Sequence, residues 1–126
     1  MSTPTRLTLT QVNLDTPDPV GLARFYARLL GWETEIEQDD DVILRNADGG
    51  VGLAFQRERA YARPTWPAET GRQQMSMHLE IGVTDLSAAL DHALACGATL
   101  AEFQPQEDVR VCLDPDGHPF CLWLQG

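Results

Sequence analysis

Asp114-Pro115-Asp116-Gly117-His118-Pro119-Phe120-Cys121-Leu122 reads as a tight turn that opens a short apolar strand. Asp, Pro and Gly close such turns, and Phe120 and Leu122 then fall on one face of a strand. The same punctuation occurs earlier in the chain. Asp48-Gly49 precedes Val51, Leu53 and Phe55, about 68 residues before the later turn. Asp18 caps a helix that Gly31 stops, and Asp85 caps another that Gly97 stops, at an offset of about 66–67 residues. A repeat of that period is read before anything else because it fixes the fold. It predicts an α+β chain of two tandem βαβββ modules, with curved mixed sheets around a cleft. One domain, 1–126, then divides into module one at about 7–57, a connection at 58–74 and module two at 75–126.

Working outward, Leu7 to Leu14 alternates as a strand, with Thr10, Val12 and Leu14 on one side and Leu9, Gln11 and Asn13 on the other. Leu22, Phe25, Tyr26, Leu29 and Leu30 recur at helical spacing after Asp18-Pro19 and form a face to lay on a sheet. Strands follow near Glu33–Glu37, Val42–Arg45 and Val51–Gln56. The second module repeats the order: strand Ser76–Val83, helix Leu86–Cys96, and strands near Leu100–Phe103, Val109–Leu113 and Pro119–Leu124. The run Gln38-Asp39-Asp40-Asp41 is a hairpin tip. His118 belongs to its turn, His92 lies on a solvated helix face, and Asp48, Asp114 and Asp116 are turn formers.

These residues carry a resemblance. Asp18-x6-Phe25-Tyr26-x2-Leu29-Leu30-Gly31-Trp32, His78-Leu79-Glu80-Ile81-x-Val83-x-Asp85-Leu86, Gly97-Ala98 and the Asp114 to Phe120 turn resemble the vicinal oxygen chelate superfamily. That superfamily includes glyoxalase I, extradiol dioxygenases, fosfomycin-resistance enzymes and bleomycin-resistance proteins. Phe55-Gln56 and Pro64-Thr65-Trp66-Pro67 look like the small actinobacterial glyoxalase-like proteins within it. One scaffold there hosts many chemistries and some pure binding, so function has to be argued from the site.

Composition narrows the classes. Nine Lys plus Arg against nineteen Asp plus Glu give a net charge of −10, which argues against a nucleic-acid or anionic-membrane partner and tolerates a cationic ligand. Three cysteines, odd in number and without zinc-type spacing, suit reduced thiols in a cytoplasm. Met1-Ser2-Thr3-Pro4-Thr5-Arg6 has no apolar signal region.

Strand alternation nominates the cleft. If Leu79, Ile81 and Val83 meet the helix, Ser76, His78, Glu80 and Gly82 face the other way. The same parity puts Cys121 and Trp123 in the cleft, with Gly52, Ala54 and Gln56. The resemblance implies a divalent cation held by His, Glu or Gln from the first and last strand of each module. His78 stands at one such position, but Leu9 offers no donor and Cys121 replaces a carboxylate. No cofactor is therefore expected; the alternative is one divalent metal on Gln56, His78 and Cys121.

The connection is longer than a connector needs, and Tyr61 and Trp66 on it suit an aromatic wall. The resulting ligand-binding set is Leu9, Gln11, Asn13, Ala54, Gln56, Tyr61, Trp66, His78, Glu80, Cys112, Cys121 and Trp123. The expected function is metal-free binding of a hydrophobic aromatic small molecule, as in bleomycin-type sequestration, by a cytoplasmic homodimer and without catalysis. The alternative is a glyoxalase-like lyase or isomerase using His78 and Glu80. A housekeeping or regulatory ligand-binding module is the third reading.

Overall fold

The computed structural model describes residues 5–125; Met1–Pro4, on which the reading of the N-terminus rests, and Gly126 lie outside them. Two four-stranded mixed sheets and two helices follow the repeat. Module one runs β1 (Gln11–Thr16), α1 (Pro19–Leu30), β2 (Glu33–Glu37), β3 (Asp41–Arg45) and β4 (Gly52–Arg57). Module two runs β5 (Leu79–Val83), α2 (Leu86–Cys96), β6 (Thr99–Leu100), β7 (Val109–Leu113) and β8 (Pro119–Leu124). Strand orders are β1-β4-β3-β2 and β5-β8-β7-β6. In each, the strand before the helix pairs parallel with the last strand, β1 on β4 and β5 on β8. The remaining pairs are antiparallel. This is the α+β fold of two modules that the repeat predicts.

The helices begin and end for local reasons. The Asp18 side chain accepts from the Gly21 N–H at 3.1 Å and Pro19 opens α1. The Asp85 side chain accepts from Ala88 at 3.0 Å. Gly31 and Gly97 close the two helices at φ 71° and 116°, left-handed positions that a Cβ disfavours.

Three strands differ from expectation; β6 is only Thr99–Leu100 and stops well short of Phe103. Strand β1 was expected from Leu7, but its partner β4 starts at Gly52, which pairs with Gln11, so the ladder starts there and extends to Thr16. Leu7 and Leu9 precede it and are 91% and 70% exposed. Likewise β5 starts at Leu79, where Phe120 first pairs with it, leaving Ser76 and His78 just ahead of the strand.

The core is shared between modules. Phe25, Tyr26, Leu22, Leu44 and Phe55 of module one pack in one cluster with Ala93, Cys112, Phe120 and Leu122 of module two. The Tyr26 ring stacks on Phe55 at 5.7 Å and meets Phe120 edge-on at 6.1 Å. The helices also touch: Arg28 donates to the Cys96 carbonyl at 3.1 Å and His92 to the Leu29 carbonyl at 3.1 Å. His92 is thus an inter-helix tie and not only a solvated side chain. No described helix is long and apolar enough to cross a membrane.

Candidate functional site

The connection 58–78 folds back on itself, with Thr65 N donating to the Gln73 carbonyl at 2.8 Å, and covers the end of β1. Between it, β1 and the segment entering β5 lies a cavity of about 590 Å³. Val12, Leu14, Tyr61, Met75, Met77 and Leu79 give it apolar walls. Asn13, Asp15, Glu58, Gln73, Gln74, Ser76, His78, Glu80 and His118 add polar groups.

The cavity wall at His118 is built from the deciding turn. The Asp114 carboxylate, 1% exposed, folds back over its own turn and accepts from the Asp116 and His118 backbone N–H groups, each at 2.9 Å. It also accepts from the His118 imidazole at 2.8 Å and from the Tyr26 hydroxyl at 2.7 Å. A buried carboxylate with that many donors is stable without a metal or an arginine. The other His118 nitrogen donates to the Asp15 carbonyl at 2.9 Å. Both nitrogens therefore face acceptors, which the imidazolium form satisfies. Burial works against that charge, but the hydrogen bond and the charge of Asp114 outweigh it and raise the His118 pKa. Thr16 donates to the Asp116 carboxylate, and the Tyr61 hydroxyl donates to the Asp116 carbonyl at 2.8 Å. Burial is the main reason that the Asp116 pKa is raised, against the Thr16 hydrogen bond. Burial, then Asp114, lifts the Tyr26 phenol well above its ordinary range. His118, read as a local turn residue, thus ties module two to β1.

The cavity wall also carries His78 and Glu80, joined by a hydrogen bond of 2.7 Å. Cys121 on β8 lies beside them: one donor atom each of His78, Glu80 and Cys121 fall within 4.8 Å of one another. Register explains the meeting, because Glu80 pairs with Cys121 across β5 and β8. Cys121 is half-buried, and burial followed by the Glu80 charge raises its thiol pKa. These residues fit a borderline cation such as Zn²⁺, which takes nitrogen, oxygen and sulfur donors together. They do not fit Mg²⁺ or Ca²⁺, which demand several oxygens. The expected alternative set is altered by the fold: Glu80 joins His78 and Cys121, while Gln56, exposed on β4, does not line the cavity.

Other nominated residues scatter. Asn13, Tyr61, His78 and Glu80 line the cavity. Leu9 precedes β1 in the open, and Gln11 lines a separate shallow depression with Glu35 and Asn46. Ala54 is 2% exposed, in mid-sheet between its register neighbours Asn13 and Ile43, and lines no part of the cavity. Cys112 is sealed in the core, where burial and then Cys121 push its thiol up to about 11. All three cysteines are free. Trp123 is 39% exposed on β8, away from the cavity lining. Trp66 donates from its indole to the Phe103 carbonyl at 3.2 Å and lies 6.0 Å from the Phe103 ring, so the cavity's aromatic wall is Tyr61. Asp15, Glu58, Met75, Met77 and His118 were missed. The unusual length of the connection was a signal for Glu58 alone among them.

Solved structures share this architecture. A glyoxalase/bleomycin resistance protein/dioxygenase family enzyme from Burkholderia phytofirmans PsJN superposes with a TM-score of 0.72 at 21% identity, over 94% of this chain and 98% of that one. A glyoxalase-related enzyme from Fulvimarina pelagi gives 0.67 at 20% identity, over 94% and 88%. A fosfomycin resistance protein from Mesorhizobium loti gives 0.68 at 13% identity, over 97% and 95%. No curated protein matches the sequence. The profile of the Glyoxalase-like domain matches residues 11–123, nearly the whole length from β1 to β8. With its paired βαβββ modules, the chain belongs to that family, within the vicinal oxygen chelate superfamily.

Proposed function

We propose that this protein binds a hydrophobic aromatic small molecule in the cavity between its modules and releases it unchanged, a sequestration role of the resistance type. The observation that carries the reading is the cavity of about 590 Å³, in which apolar side chains share the walls with nine polar ones. That is the size of sites that take drug-sized ligands. A sequestering protein needs affinity without turnover, and micromolar to nanomolar binding corresponds to about −8 to −12 kcal/mol. The raised Cys121 thiol pKa disfavours a thiolate nucleophile, which supports binding over covalent chemistry. Three free cysteines support work in a reducing cytoplasm.

A second reading follows from the convergence of His78, Glu80 and Cys121. His78, Glu80 and Cys121 would hold a Zn²⁺-class cation that polarises a bound oxygen, and Glu80, where it is left free of the metal, would move the proton of a lyase or isomerase.

One experiment separates the two. Planar polycyclic compounds are titrated by calorimetry, then recovered and weighed by mass spectrometry, alongside elemental analysis of protein purified without chelator. Binding with unchanged ligand mass and well under one equivalent of metal is expected. His78→Ala should weaken binding by about 1–3 kcal/mol where the imidazole hydrogen-bonds the ligand. A mass change that His78→Ala abolishes would transfer the case to the enzyme.

A further inference from the structure

We infer that the cavity selects organic cations, that is, an amine-bearing aromatic or aliphatic frame. The inference rests on the binding role proposed above and names the chemistry of the ligand. Three carboxylates line the cavity, those of Asp15, Glu58 and Glu80, and among the described residues no lysine or arginine does. The partners of two of these acids are neutral. Asn13 donates to Asp15 at 2.8 Å, and the Ala60 backbone N–H donates to Glu58 at 2.9 Å. Such bonds orient a carboxylate and leave its charge in place.

The two lining bases leave the charges of Asp15 and Glu58 in place. His118 is already balanced by the buried Asp114 behind the wall, at 2.8 Å. His78 is committed to Glu80 at 2.7 Å. The arginines that form ion pairs spend their charge elsewhere: Arg45 on Glu33, Arg57 on Asp40, Arg72 on Glu69. An anion entering the cavity therefore meets the carboxylates of Asp15 and Glu58, which no cationic side chain pairs, whereas an ammonium finds in them acceptors for its N–H donors.

The walls suit the rest of such a molecule. Tyr61 presents an aromatic ring, whose face attracts a cation, and Met75 and Met77 bring polarisable thioethers beside Val12 and Leu14. At longer range the net charge of −10 raises the local concentration of cations before any contact forms.

Three anthracenes of one shape test this: 9-(aminomethyl)anthracene, 9-anthracenemethanol and 9-anthracenecarboxylate, titrated at neutral pH in buffer containing a chelator. The amine should bind about tenfold more tightly than the alcohol, and the acid more weakly than both. Added salt should narrow the gap between amine and alcohol. Asp15→Asn and Glu58→Gln should each narrow it by roughly threefold or more, and Asp48→Asn, on a turn outside the cavity, should leave it unchanged. Equal affinities for amine and alcohol would overturn cation selection while leaving aromatic sequestration intact. Binding of none of the three would overturn both.

Discussion

Asp114 shows how far a single side chain can reach. It closes its own turn through two backbone N–H groups and also holds Tyr26, 88 positions away in sequence. The turn was legible because Asp-Pro-Asp-Gly is a local signal, but its partners were not, since nothing in a linear pattern links Tyr26 or Asp15 to it. Tyr26→Phe leaves a buried carboxylate short of one donor. Stability in urea should fall by about 1–3 kcal/mol, and a change under 0.5 kcal/mol would count against the role given to this bond. His118 adds a pH dependence whose sign can be worked out. Its folded pKa is raised above the unfolded value of about 6.5, so its contribution is complete below about 6.5 and is lost as pH rises through the folded pKa. Asp116, also raised, acts in the same direction: its neutral form is favoured on folding, and that advantage is lost on ionisation. The melting-temperature gap between wild type and His118→Gln should be widest near pH 6 and narrow toward pH 9. A gap that widens with pH would refute the ion pair.

At the scale of elements the sequence was a good guide wherever a cap or a strict alternation existed. Both helices start at the predicted Asp caps and stop at the predicted glycines, and β2, β7 and β8 fall where alternation put them. Alternation failed at Leu7–Thr10 and Ser76–His78 because a strand lasts only as long as its partner, and pairing is not written in either strand alone. It misled again at Ala54, nominated for the cleft but buried between its register partners Asn13 and Ile43. Gly52 is an element-level constraint of another kind. A Cβ there would sit 2.5 Å from the Leu44 carbonyl oxygen, a backbone atom that cannot swing aside. Gly52→Ala should therefore part β3 from β4 locally and cost about 1–3 kcal/mol, seen as faster amide exchange at Leu44 and Leu53. Unchanged exchange would show that the sheet absorbs the methyl.

For the whole molecule, the repeat made the architecture readable, while the cavity was readable only in part. It is bounded by β1, β5 and a connection whose path no periodicity dictates, so Tyr61 and Asn13 were found and Met75 and Met77 were not. Each sheet also ends in unpaired edges, and Leu9, Met77, Phe103 and Trp123 leave apolar surface in the open. A second copy is expected to cover part of it, and sedimentation equilibrium at roughly tens of micromolar protein should give a dimer mass. A monomer would set that expectation aside. The Tyr26 ring, lying on Phe55 and against Phe120, carries a last consequence. Two self-sufficient halves would each be exchangeable with a stranger's. Here one tyrosine belongs to both, so a gene cut at the connection would yield two fragments with an open wound in each. Co-expressed, the fragments should find one another and restore one melting transition; alone, neither should show one.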